Sequence, residues 1–159
     1  MSLETEDITE TPERVLVLNR VFDAPRALVF KAWTEPEHLA RWWGCETTAI
    51  TSFTGDFRVG GEFRVSMRLS DGIEHRLQGV YRVFDRPECL SFTWAWEDED
   101  GLPGHETLVT VTFTEQNGKT AMALNQAIFD SEKVRDEHHE GWSVGLDRLA
   151  DLLAALPNA

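Results

Sequence analysis

Apolar and polar positions change period several times along the chain, and each change predicts an element. Arg14 to Phe22 is rich in Val and Leu and reads as a strand. Leu28, Val29, Ala32 and Trp33 then fall on one helical face. Asp23 is placed to cap that helix, with Pro25 in its first turn, where a missing N–H costs little. A second short helix is expected from Pro36 to Trp42, with Thr34 as its cap. From Glu46 onward the period becomes strand-like, and Thr47 to Phe53 is a second strand. Phe63, Val65, Met67 and Leu69 alternate with Glu62, Arg64, Ser66 and Arg68. Asp71-Gly72 signals a hairpin, and Ile73, His75, Leu77, Gly79, Tyr81 and Val83 form one face of the returning strand. After a turn at Asp85 to Glu88, Leu90, Phe92, Trp94 and Trp96 alternate. An acidic loop, Glu97 to Gly104, separates them from Val109, Val111 and Phe113. Asn117-Gly118 marks another tight turn before Thr120, Met122, Leu124, Gln126 and Ile128.

The period then returns to that of a helix. Val134, His138, Trp142, Leu146, Leu149, Leu153 and Leu156 recur every three or four residues, with Asp130 or Ser131 as the cap and Pro157 as the stop. The predicted architecture is α+β: a curved antiparallel sheet wrapped around a long C-terminal helix, with two short helices after the first strand. A sheet with one apolar face needs a cover, and the last helix is the element long enough to supply it. The stretch from Ala24 to Gly61 carries Trp33, Trp42 and Trp43 and closes on Gly60-Gly61, so it reads as a lid over an apolar interior. That interior is either a plain core or a ligand pocket.

Arg20-Val21-Phe22-Asp23-Ala24-Pro25, Ala32-Trp33-Thr34 and Arg41-Trp42-Trp43-Gly44 occur in this order. They are followed by Asp56-Phe57-Arg58-Val59-Gly60-Gly61, Gly79-Val80-Tyr81 and Gly141-Trp142. In these motifs and their spacing the chain resembles the family named after the activator of the heat-shock chaperone ATPase. That family lies within the START-like, polyketide-cyclase-like superfamily. The resemblance spans roughly Arg14 to Ala155 and implies a helix-grip fold. It also implies an apolar small molecule held between the long helix and the sheet, or a chaperone as partner, and it brings a homodimer into consideration. Some superfamily members are cyclases and some transfer lipids, so fold alone does not choose among these.

Composition narrows the picture further. At 159 residues the chain is one domain, taken here as residues 14–157 behind an acidic, threonine-rich tail at residues 1–13. Its formal net charge of -13 repels phosphate backbones and anionic lipid, which argues against nucleic-acid and membrane-surface partners. No stretch is long and apolar enough to span a membrane, and the first residues do not read as a signal peptide. Cys45 and Cys89 make no disulfide framework and lack metal-ligand spacing, so a reducing compartment, the cytoplasm, is the expectation.

Candidate chemistry is concentrated on the enclosed side. Trp43, Phe57, Phe63, Met67, Trp94 and Met122 are the expected pocket wall, although core packing alone would also account for them. Gly141 and Gly145 flank Trp142 on the last helix. A helix-interior glycine costs about 1 kcal/mol against alanine, so close packing or room for a ligand beside Trp142 must offset it. His75 and Gln126 share parity with apolar neighbours and point inward. They either satisfy each other, a water or the backbone, or they orient the polar end of a ligand. His105 follows the acidic loop and belongs at the rim. Adjacent His138 and His139 diverge on a helix and do not make a metal site with Glu140, so a solvated face with His138 partly packed is expected. Cys45 is either a reactive thiol at the pocket mouth or an inert small hydrophobe. No HExxH, P-loop, dinucleotide fingerprint or nucleophile elbow occurs, so no cofactor and no metal is called for. The leading reading is therefore a binding protein for an apolar or aromatic small molecule. A chaperone-interaction module is the alternative. A cyclase- or hydrolase-like enzyme on a polyketide-like or aromatic substrate is the third, and it would need His75, Gln126 and a carboxylate to converge.

Overall fold

The computed structural model describes residues 14–43, 49–68 and 72–156. The expectations made at residues 1–13 and at Cys45, Leu69, Asp71 and Pro157 lie outside the described residues. Along the chain come β1 (Leu16–Phe22), α1 (Arg26–Thr34), α2 (Pro36–Trp42), β2 (Ala49–Gly55) and β3 (Glu62–Arg68). They are followed by β4 (Glu74–Asp85), β5 (Cys89–Glu97), β6 (Pro103–Gln116), β7 (Lys119–Ala127) and α3 (Glu132–Ala155).

The strands form one curved antiparallel sheet in the order β1-β7-β6-β5-β4-β3-β2. β2 to β7 run as a meander, and β1 docks on β7 from Leu16 opposite Gln126 to Phe22 opposite Thr120. Strand alternation then sorts the side chains. Phe63, Val65, Met67, Leu77, Tyr81, Leu90, Phe92, Trp94, Val109, Val111, Phe113, Met122 and Leu124 are all buried on the inner face. α3 lies over that face and buries Trp142, Gly145, Leu146, Leu149, Leu152 and Leu153. Arg20 of β1 fixes the helix from the side, donating to Asp147 at 2.8 Å and to the Ser143 hydroxyl at 3.1 Å.

One turn and one strand position show why glycine stands where it does. Asn117 and Gly118 both take positive φ, 54° and 86°, as the two-residue hairpin between β6 and β7 demands. At Gly79 a Cβ would lie 2.0 Å from the Thr93 carbonyl oxygen and 2.6 Å from the Phe63 ring, so only glycine lets that ring lie across β4.

Three local expectations are corrected. Asp23 does not cap α1: the helix begins at Arg26 after Pro25, whose carbonyl accepts from Leu28 and Val29, and Asp23 is too far upstream. Thr34 does not cap α2, because it ends α1 with its hydroxyl turned back to the Phe30 carbonyl at 3.0 Å; Glu35 takes the cap position before Pro36. The acidic loop is shorter than expected. The Asp98 carboxylate accepts from the amides of Asp100 and Leu102 at 2.9 and 3.0 Å, closing the turn tightly enough for Glu97 to pair with Pro103. At α3 the choice between Asp130 and Ser131 falls to Ser131, whose hydroxyl accepts from the Val134 amide at 3.2 Å.

Candidate functional site

The six tryptophans are spread over the sequence, yet all of them face one side of the sheet. Trp33 ends α1, Trp42 and Trp43 end α2, Trp94 and Trp96 stand two apart on β5, and Trp142 lies in α3. Three of the other rings meet Trp142. It stacks on Trp33 with centroids 5.7 Å apart, tilts against Trp94 at 5.2 Å and receives the edge of Trp43 at 6.3 Å. Trp43 in turn touches Trp94 at 6.0 Å and Phe63 at 6.5 Å. Two short helices, one strand and the long helix thus converge on a single aromatic cluster.

The indole N–H groups divide into two sets. Trp42 donates to the Ala32 carbonyl at 3.0 Å, Trp96 to His138 Nε2 at 3.0 Å, and Trp142 to Gln126 Oε1 at 2.8 Å. The N–H groups of Trp33, Trp43 and Trp94 are buried without a hydrogen-bond partner. A buried donor left unpaired costs about 1–3 kcal/mol, and native interiors hold few of them. Here three such donors surround one ring.

On the sheet side of the cluster, Gln126 and Thr107 are both paired. Gln126 accepts from Trp142 and donates to Thr107 Oγ1 at 2.8 Å, and the Thr107 hydroxyl donates to the Trp94 carbonyl at 3.3 Å. Gln126 is wholly buried, and this relay satisfies it. His138 closes the other end. Because an indole N–H can only donate, His138 Nε2 must accept from Trp96, which leaves Nδ1–H to donate to the Val134 carbonyl at 2.9 Å. The neutral ring is therefore built in. Burial pushes the imidazole below its ordinary value, against smaller opposing pulls from the Val134 carbonyl and Glu137.

Of the predicted site residues, the fold brings Trp43, Phe63, Trp94, Gln126 and Trp142 together. The others lie elsewhere. Phe57 is half-buried beyond β2, stacked on Phe53 at 5.8 Å and tilted against Tyr81. Met122 is buried opposite Phe113, one ring removed from Trp33. Met67 is buried opposite His75 on β4. His75 meets the edge of Trp96 at 6.4 Å and stands three strands from Gln126, so the two polar side chains do not serve each other. His105 is exposed, with Nδ1 3.0 Å from Asp130 and Nε2 at the Ile128 carbonyl. His139 and Glu140 are exposed while His138 is half-buried. A surface groove of ≈ 450 Å³ between β1 and the last turns of α3 is lined by Val21, Phe22, Asp23, Ala150, Leu153, Ala154 and Leu156, none of them a predicted site residue. Among the described residues no three His, Cys, Asp or Glu side chains gather as metal ligands, and no helix is long and apolar enough to cross a membrane.

Residues 23–154 match the family model described as Activator of Hsp90 ATPase homolog 1-like protein. The chain belongs to that family. Its fold recurs in an AHSA1 protein from Silicibacter pomeroyi, 26% identical over 89% of this chain and 98% of that one, with a TM-score of 0.80. A protein from Chromobacterium violaceum is 26% identical over 88% of this chain and 96% of its own, with a TM-score of 0.77. One from Arthrobacter aurescens is 25% identical over 92% and 90%, with a TM-score of 0.79. No curated protein matches the sequence.

Within this Activator of Hsp90 ATPase homolog 1-like fold, three contributors to the cluster escaped the sequence reading. Trp33 reads from sequence as part of the lid stretch with Trp42 and Trp43 but not as a pocket-wall residue. Thr107 shares parity with Val109, but it lies next to the stretch read as an acidic loop. The Trp96–His138 bond joins residues 42 apart in sequence, and nothing in their spacing announces it. The assembled residues form a buried, uncharged aromatic cluster with three unpaired hydrogen-bond donors.

Proposed function

We propose that this protein binds an apolar, aromatic small molecule between α3 and the sheet, at the indole cluster. The observation that carries the reading is the meeting of Trp33, Trp43, Trp94 and Trp142 from four separate elements around one ring. Apolar concave sites with a few placed polar groups are the usual setting for such ligands, and stacked or edge-on rings favour a flat aromatic guest. The polar side chains at the cluster act as positioners in this reading. Gln126 orients Trp142 and carries no titratable proton, and His138 orients Trp96 with both ring nitrogens hydrogen-bonded. Binding therefore fits the geometry better than acid–base catalysis.

Native mass spectrometry of protein purified from its own host tests this directly. A co-purified aromatic molecule, lost on Trp142→Ala together with its quenching of tryptophan fluorescence, is the expected result. A ligand-free protein that instead retains a chaperone would overturn it in favour of the role the family description names.

A further inference from the structure

We infer that the ligand is an uncharged aromatic compound bearing carbonyl-type oxygens, which accept hydrogen bonds from the indole N–H groups of Trp33, Trp43 and Trp94. This rests on the binding reading above and assigns the chemical class of the guest. All six indoles lie in the described part of the chain. Three are paired to built-in acceptors, the Ala32 carbonyl, His138 and Gln126, and three are buried with none. Trp33, Trp43 and Trp94 are each more than nine-tenths buried, at 2%, 5% and 7% exposed. An indole N–H only donates, so the missing partner must accept. A carbonyl oxygen takes two hydrogen bonds, so three donors call for more than one acceptor position.

Charge decides between the acceptors. The buried polar side chains are Ser, Thr and Gln, and none of the 15 Lys and Arg residues, all within the described part, is buried. A carboxylate or phosphate brought to the cluster would lose its hydration with no cation to replace it. His138 does not supply one, since its Nε2 accepts from Trp96 and its ring is neutral. The net charge of -13 opposes an anion at long range as well. Ketones, quinone-like rings and other neutral oxygenated aromatics satisfy the donors without this penalty.

The test uses three flat probes of one shape: 9-fluorenone, fluorene and fluorenone-4-carboxylate, titrated into the intact protein while the six indole N–H signals are followed by NMR. Fluorenone binding about tenfold more tightly than fluorene is expected. Because the single fluorenone oxygen takes two hydrogen bonds, the signals of two of Trp33, Trp43 and Trp94 should move downfield, and those of Trp42, Trp96 and Trp142 should hold still. Equal affinities for fluorenone and fluorene would overturn the acceptor assignment while leaving the binding reading intact, the donors then being served by water. Tighter binding of the carboxylate than of fluorenone would overturn the neutral assignment. Binding of none of the three would overturn both this inference and the reading beneath it. Trp94→Phe, which keeps an aromatic ring but removes a donor, should shrink the fluorenone-to-fluorene ratio. The wild-type titration decides the matter even if that variant does not fold.

Discussion

The two halves of α3 cover the sheet by different chemistry. The C-terminal half is aliphatic: Leu146, Leu149, Leu152 and Leu153 are buried, and the polar contacts stay at the margin, with Arg20 on Asp147 and Arg148 donating to the Arg41 carbonyl. The N-terminal half reaches the sheet through His138 and Trp142, each hydrogen-bonded to an inward side chain, and through rings from Trp94, Phe129, Trp33 and Trp43. Leucines fill space without needing partners, and the groove beside that half, lined in part by Leu153 and Leu156, leaves no polar side chain of the helix stranded. Indoles fill space and also carry a donor, and on the other half three of those donors are left over. One half of the helix is thus held by aliphatic packing, and the other leaves buried indole donors unpaired.

The largest effect should come from the aliphatic half. Leu149→Ala removes a fully buried side chain and should cost about 3 kcal/mol in urea or guanidinium unfolding. Binding of an aromatic probe by the fraction that remains folded should be unchanged. A loss of probe affinity larger than the loss of folded protein would show that the two halves act as one unit, and the contrast would fail.

Gln126→Leu probes the other half, and about 2 kcal/mol should be lost, because it strands the Trp142 N–H while Thr107 keeps the Trp94 carbonyl as its acceptor. This variant is the sharper of the two. If Gln126→Leu leaves the unfolding midpoint where it was, a buried indole donor is tolerated here at no cost. The three unpartnered indoles would then require no guest, and the distinction between the halves would reduce to packing.

The same contrast explains what could be read from sequence. Faces were legible because strand and helix periods are local: Phe63, Trp94, Gln126 and Trp142 all point inward as their parity requires. Positions within the face were not, because they depend on which strands become neighbours. His75 and Gln126 have the same inward parity, yet β5 and β6 stand between their strands. Phe57 and Trp43 belong to one motif-rich stretch, yet Phe57 went to Tyr81 while Trp43 went to Trp142. Caps failed for a related reason, since Thr34 could serve either the helix behind it or the one ahead, and the backbone geometry gave it to α1. Whether a buried donor finds an acceptor is the least local property of all, and it emerged only with the assembled cluster.

Acid should act first on the aromatic half. The His138 imidazole is held below its ordinary value, chiefly by burial, so the unfolded chain binds a proton that the folded chain resists. The sign follows: stability is fully present above the unfolded value of 6.5 and declines as pH falls from there through the lower folded value. Protonation would also set an imidazolium N–H against the Trp96 N–H, breaking that bond. Unfolding midpoints measured from pH 8 to pH 5 should fall in wild type. The slope should flatten in His138→Gln, whose amide can still accept from Trp96 but does not titrate in this range. An equal slope in both proteins would assign the loss to other groups.

The smallest effect should be a gain. Gly141 stands one residue before Trp142 in the interior of α3, and a Cβ placed there meets no atom within 4 Å. Close packing therefore does not explain this glycine, whereas the helix bears its conformational cost of about 1 kcal/mol against alanine. Gly141→Ala should accordingly raise stability by up to about 1 kcal/mol in the same unfolding assay. The accompanying probe titration carries the information. Undiminished binding in a more stable protein would make the glycine neutral to the site. Weaker binding in a more stable protein would mean that the open space at Gly141 is space a guest uses, which would bring the helix backbone into the site.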